Sequence, residues 1–157
     1  MGKAAVIPFS FAMAFMLTAI PVPDWAVSWL PAWVALVLIY WCLATPGYVG
    51  VLTGWVLGLL LDVMHGSILG QHALGLSVVA YVTLIYHQRV RIFPLVQQSI
   101  LIALLLFIYL AIMLAIYNTL GSIDYGYNYL FGALSSALLW PWLFVILRDL
   151  RRRAALV

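Results

Sequence analysis

Between residues 4 and 88 the chain carries only two formal charges, Asp24 and Asp62. The other charged side chains are Lys3, Arg89, Arg91, Asp124, Arg148, Asp149, Arg151, Arg152 and Arg153. With Asp24 and Asp62 they make up 7% of 157 residues, against roughly 25% in ordinary soluble domains. A water-soluble fold of this length could not cover itself with so few charges. Apolar residues make up 68% of the chain and its mean hydropathy is +1.18. The sequence therefore describes an all-α integral membrane protein, one transmembrane domain over residues 1–157, with no length left for a second, soluble domain. The single cysteine, Cys42, excludes an internal disulfide and reads as packing beside Trp41.

The apolar runs divide into six. Residues 4–20 follow Lys3 and just reach the lower limit of about 17–25 residues for a spanning helix. A cleaved signal peptide is the rival reading, but Pro21-Val22-Pro23-Asp24-Trp25 follows without an Ala-x-Ala-like cleavage site, so the helix is expected to be retained. Trp25, Trp29 and Trp33 have the spacing of an interfacial aromatic anchor at a helix entrance. They predict a second helix over 26–44, with Pro31 in its first turns, where a missing amide costs little. Thr45-Pro46-Gly47 is a strong turn signal and separates a third helix over 48–64. The fourth is expected over 68–87, the fifth over 95–118 after Pro94, and the sixth over 129–147 with Pro141 kinking it. The stretch 121–128 is a polar, glycine-containing turn.

Apolar character barely falls at Thr45-Pro46-Gly47, so charge decides whether the chain turns there. With six spans, Lys3, Arg89, Arg91 and the arginines of 148–153 share one side, and Asp24 and Asp124 the other. Fusing the second and third helices would put Lys3 opposite the C-terminal arginines. The positive-inside rule selects six spans with both termini in the cytoplasm. All connections are short, so neighbouring helices run antiparallel.

The polar and small residues concentrate in residues 47–75. Gly50, Gly54 and Gly58 recur every four residues, and Asp62 follows at the next step, then Gly66 and Gly70. Such a stripe makes a shallow groove where another backbone can approach closely. Contact within the chain is the favoured reading, and a homodimer the alternative. Asp62 is either a polar anchor inside the bundle for a partner helix or an N-cap for the next helix, and the two are compatible. His65 and His72 could join Asp62 in a metal site or an acid–base pair. No fourth ligand of the right type lies nearby, so local hydrogen bonding is preferred for both. No cofactor, metal or catalytic residue is assigned. His87 reads as a headgroup contact, together with Arg89 and Arg91. Arg148, Arg151, Arg152 and Arg153 stop transfer, set orientation and contact anionic lipid.

These residues also carry a resemblance. The block Gly58-Leu-Leu-Leu-Asp-Val-Met-His-Gly-Ser-Ile-Leu-Gly-Gln-His-Ala-Leu74, followed by Ala80-Tyr-Val-Thr-Leu-Ile-Tyr-His-Gln-Arg-Val-Arg-Ile-Phe-Pro-Leu-Val-Gln-Gln98, resembles the rod shape-determining protein MreD family in its proteobacterial form. Length and six-span hydropathy match over nearly the whole chain. The resemblance implies an inner-membrane component of the machinery for cell elongation and lateral peptidoglycan synthesis. Its implied partners are MreC directly, and through it MreB, RodA and a penicillin-binding protein. It also implies a fold similar to the substrate-binding subunits of energy-coupling-factor transporters.

Three function classes were open to such a chain. A scaffold needs lipid-compatible outer faces and little else. A substrate- or lipid-binding transporter subunit needs a polar cavity, for which Asp62, His65, Gln71, His72, Asn118 and Asn128 are the candidates. An intramembrane enzyme needs a reactive pair at hydrogen-bond distance. The expected function is a non-enzymatic scaffold with membrane lipids and protein partners and no nucleic acid, and the transporter subunit is the alternative.

Overall fold

The computed structural model describes residues 3–121 and 126–155. Asp124 and the centre of the polar turn at 121–128 lie outside these residues. Every regular element described is helical: α1 (Lys3–Ala19), α2 (Asp24–Val27), α3 (Trp33–Ala44), α4 (Val51–His65), α5 (Gln71–Val90), α6 (Leu95–Leu120), a 3-10 turn (Tyr127–Leu130) and α7 (Phe131–Ala155).

Helix α3 is the axis of the bundle. All ten residues from Val34 to Leu43 are buried, and α3 packs against α1, α5 and α7. A helix that is apolar on every side can be enclosed on every side, and in α3 only Trp33, Tyr40, Trp41 and Cys42 have side chains with a nitrogen, oxygen or sulfur atom. Helix α5 also contacts α4 and α6, and α7 also contacts α1 and α6. Helix α4 lies at the edge, with α5 as its main neighbour.

Single hydrogen bonds tie the helices across these contacts. Trp41 Nε1 donates to Ser10 Oγ at 2.7 Å, joining α3 to α1. Ser136 Oγ of α7 accepts the Ala32 amide at 3.0 Å, satisfying one of the orphan donors at the start of α3. Trp140 Nε1 of α7 donates to Gln98 Oε1 of α6 at 3.3 Å. Bonds of this kind in membrane bundles are worth about 0.6 kcal/mol each on average, so they fix register more than they supply stability. The outward surface is apolar, with Leu52, Leu138 and Trp142 each about three-quarters exposed.

Two helical segments are long and apolar enough to cross a membrane, Leu95–Leu120 and Tyr127–Ala154. Three apolar helices are shorter, at 10–17 residues. The helix expected over 26–44 is divided: α2 is one turn, Trp29 lies in the connection, and α3 begins at Trp33. Pro31 is the reason. It restricts Leu30 away from helical backbone and cannot donate an amide. The anchor residues are consequently not on one helix, and Trp29 instead stacks on Phe131 with ring centroids 4.9 Å apart.

The turn expected at Thr45-Pro46-Gly47 does separate two helices, α3 and α4. Helix α5 begins three residues later than the expected 68 and continues to Val90. Helix α7 passes Pro141 and runs on to Ala155. Arg148 and its neighbours therefore belong to the helix, which good helix formers can extend past the apolar run.

The locked hairpin of α4 and α5 as candidate functional site

The glycine stripe of α4 meets the backbone of α5. A Cβ on Gly54 would lie 2.8 Å from the Leu76 carbonyl oxygen, and one on Gly58 would collide with the backbone of His72 and Ala73. Gly50 is different, since a Cβ there would make an ordinary 3.6 Å contact with Leu84. The face of α4 carrying Gly54 and Gly58 is thus filled by α5. Gly75 performs the same service one layer further in, where Tyr109 and Met113 of α6 occupy the space a side chain would need.

The turn between the two helices is set by two further glycines in left-handed backbone. Gly66 ends α4 at φ 63° and Gly70 precedes α5 at φ 101°. Side chains rarely adopt such angles, which glycine reaches without cost.

Asp62 closes the hairpin. Its side chain is fully buried, and its two carboxylate oxygens accept four hydrogen bonds. Oδ1 accepts from Ser67 Oγ at 2.9 Å, from the His72 amide at 2.9 Å and from His72 Nδ1 at 2.7 Å. Oδ2 accepts the Gly70 amide at 2.8 Å. The acid of one helix therefore caps the N-terminus of the next. Two orphan amides at the start of α5 are satisfied, and negative charge sits where the helix dipole favours it. The N-cap reading of Asp62 is what these contacts form.

Because a carboxylate can only accept, His72 Nδ1 carries the proton of that bond and Nε2 is the other ring nitrogen. His65 is not a partner of Asp62. Its Nδ1 donates to the Leu61 carbonyl at 2.9 Å, and its ring stacks on His72 with centroids 5.3 Å apart and planes at 15°. Among the described residues no group of three or more His, Cys, Asp or Glu side chains comes together.

Both histidines line a cavity of about 160 Å³ under the α2–α3 connection, with Thr18, Tyr109, Tyr117 and Tyr129 among its other walls. Of the other polar candidates, Gln71 is buried elsewhere, and Asn118 and Asn128 are exposed. The three tyrosines, Thr18 and Gly75 were not singled out by sequence. They come from α1, α5, α6 and the 3-10 turn before α7, and no spacing along the chain brings them together. At the opposite end of α5, Arg91 donates to the Ala44 carbonyl at 2.9 Å, capping α3. His87 Nδ1 donates to the Leu84 carbonyl.

No solved structure matches the chain. The rod shape-determining protein MreD of Haemophilus influenzae is 37% identical over 146 residues, covering 93% of this chain and 90% of that protein. The family described as rod shape-determining protein MreD matches residues 2–150, both helices of the hairpin included. With nearly the whole length so matched, the chain belongs to the rod shape-determining protein MreD family.

Proposed function

We propose that this chain acts in rod-shape determination as a non-enzymatic scaffold of the bacterial inner membrane. Six spans, with both termini in the cytoplasm, hold it there. MreC is its direct partner, and MreB, RodA and a penicillin-binding protein join through the complex. Family membership supports the rod-shape role, and one structural observation supports the scaffold. Helix α4 stands at the edge of the bundle, clamped to α5 through its glycine face and the Asp62 cap. Its opposite face presents Leu52, Trp55, Val56, Leu60 and Val63, all exposed. These follow helical spacing, so they form one continuous apolar stripe pointing away from the protein. A rigid edge helix with such a stripe suits the transmembrane segment of a partner.

The transporter-subunit alternative, with its energy-coupling-factor-like fold, asks for more room than the histidine-lined cavity gives. That cavity is about 160 Å³, and small-molecule pockets usually enclose about 300–1,000 Å³.

Co-expression with MreC and purification in mild detergent tests the proposal. The two proteins should elute together as a monodisperse complex, and fluorescent-protein fusions after residue 157 should glow inside the cell. A reporter that folds only outside the cytoplasm should be active when fused after Leu69. Failure of the wild-type protein to retain MreC would overturn the scaffold, and a glowing fusion at Leu69 would overturn the topology.

A further inference from the structure

At the end of the bundle where α3 and α5 finish lies a cavity of about 310 Å³, lined by Tyr40, Leu43, Arg91, Gln98, Phe144 and Arg151 among others. Its lining is rich in donors. Tyr40 is 2% exposed, and its hydroxyl is buried with no hydrogen-bond partner. Phe144 holds the Tyr40 ring edge-on at 5.6 Å. Arg91 spends one nitrogen on the Ala44 carbonyl, and among the described residues its other side-chain donors make no hydrogen bond. Arg151 makes no ion pair among the described residues. Arg148 lies over the Phe144 ring at 6.0 Å, and its Nε makes no hydrogen bond but sits 3.9 Å from an Asp149 carboxylate oxygen.

The side-chain acceptor in the lining, Gln98 Oε1, makes no hydrogen bond to the Tyr40 hydroxyl. Gln98 Oε1 accepts from Trp140, and its Nε2 donates to the Val90 and Phe93 carbonyls. No carboxylate lines the cavity. An orphan buried hydroxyl costs free energy unless an acceptor reaches it. The Arg91 and Arg151 guanidinium groups in the same lining select an anion whose oxygens can take several donors at once, and phosphate fits best. A second cavity of about 470 Å³ shares Arg151 and is walled by Val6, Ile7, Trp41 and Ala154. That is room for an acyl chain next to room for a headgroup.

We infer that the two cavities hold one anionic phospholipid, its phosphate taken by Arg91, Arg151 and the Tyr40 hydroxyl, and its chain lying along Val6, Ile7 and Trp41. The site uses no residue of the α4 stripe and is independent of the scaffold role proposed above.

Delipidated full-length protein in detergent, titrated with dioctanoyl phosphatidylglycerol and followed by thermal shift and native mass spectrometry, tests the inference. The wild type should bind one lipid saturably. Tyr40→Phe and Arg151→Gln should each weaken that binding about tenfold, the effect of losing one hydrogen bond to a charged group. Arg152→Gln removes the same charge outside both cavities and should bind as wild type does. Tyr40→Phe discards only the orphan hydroxyl, so without lipid it should melt no lower than wild type. Equal losses in the Arg152 and Arg151 variants would show diffuse attraction and overturn the site. Unchanged affinity in Tyr40→Phe would overturn it too. Equal binding of dioctanoyl phosphatidylcholine would overturn the selection of an anion. Protection by inorganic phosphate alone, with the same dependence on Tyr40, would keep the anion site and overturn its assignment to a lipid.

Discussion

Replacing Asp62 by alanine should unlock the hairpin, and the structure gives the size of the effect. The substitution removes the acceptor of four hydrogen bonds. Ser67 and Gly70 are partly exposed and can recover other partners, whereas His72 is 5% exposed. The two His72 donors, its amide and Nδ1, therefore dominate. Each buried donor left unsatisfied costs about 1–3 kcal/mol. With the space vacated by the carboxylate, Asp62→Ala should lose about 3–5 kcal/mol. At roughly 2–4 °C per kcal/mol for a chain of this length, the melting midpoint should fall by about 10 °C. Asp62→Asn keeps the shape but turns an NH2 group toward either the Gly70 amide or the Oδ1 donors. It should lose about half as much. Size-exclusion chromatography after stepwise heating in detergent measures both. A midpoint for Asp62→Ala within about 2 °C of wild type would refute the cap as the lock of the hairpin.

Four further outcomes follow from the same packing. Gly58→Leu drives a side chain into the backbone of His72 and Ala73 and should abolish accumulation of monodisperse protein. Gly50→Ala meets only Leu84 at an ordinary distance and should melt within about 1 kcal/mol of wild type, as judged by the same chromatography. Trp41→Phe and Ser10→Ala each break the 2.7 Å bond between α3 and α1, so the double variant should lose less than the two single losses added. A coupling of about 0.6 kcal/mol is expected, read from a denaturation cycle in mixed detergent. Cys42 is fully buried in α3 and should resist a maleimide in the folded protein, then react fully in sodium dodecyl sulfate, as intact mass will report.

Local signals in the chain announced local structure. The break at Thr45-Pro46-Gly47 is a matter of backbone chemistry over three residues, and the helices part there. Asp62 followed by glycines and a serine is capping chemistry, and the cap lies within ten residues of the acid. The tryptophans at 25, 29 and 33 misled because their spacing suits a helix, while Pro31 between them does not. Aromatic periodicity reports a preference of side chains for the membrane interface, and proline acts directly on the backbone, so proline won. The central position of α3 was legible only in part. Its run is more apolar than those of α1, α4, α5, α6 and α7, a hint of enclosure on every side, but which helices enclose it appears only in the packing of α1, α5 and α7. The cavity tyrosines and the donor-rich pocket around Tyr40 were invisible for the same reason. Each is assembled from helices far apart in sequence.

The most direct test of the scaffold is site-specific photocrosslinking in living cells. A photoreactive phenylalanine analogue placed at Leu52, Leu60 or Val63 on the free face of α4 should capture MreC. The same analogue at Leu138, equally apolar and 53–75% exposed like its counterparts on α4, should capture lipid and no MreC. Adducts that form at Leu138 as readily as at Val63, or at none of these positions, would contradict a partner seated on the edge helix.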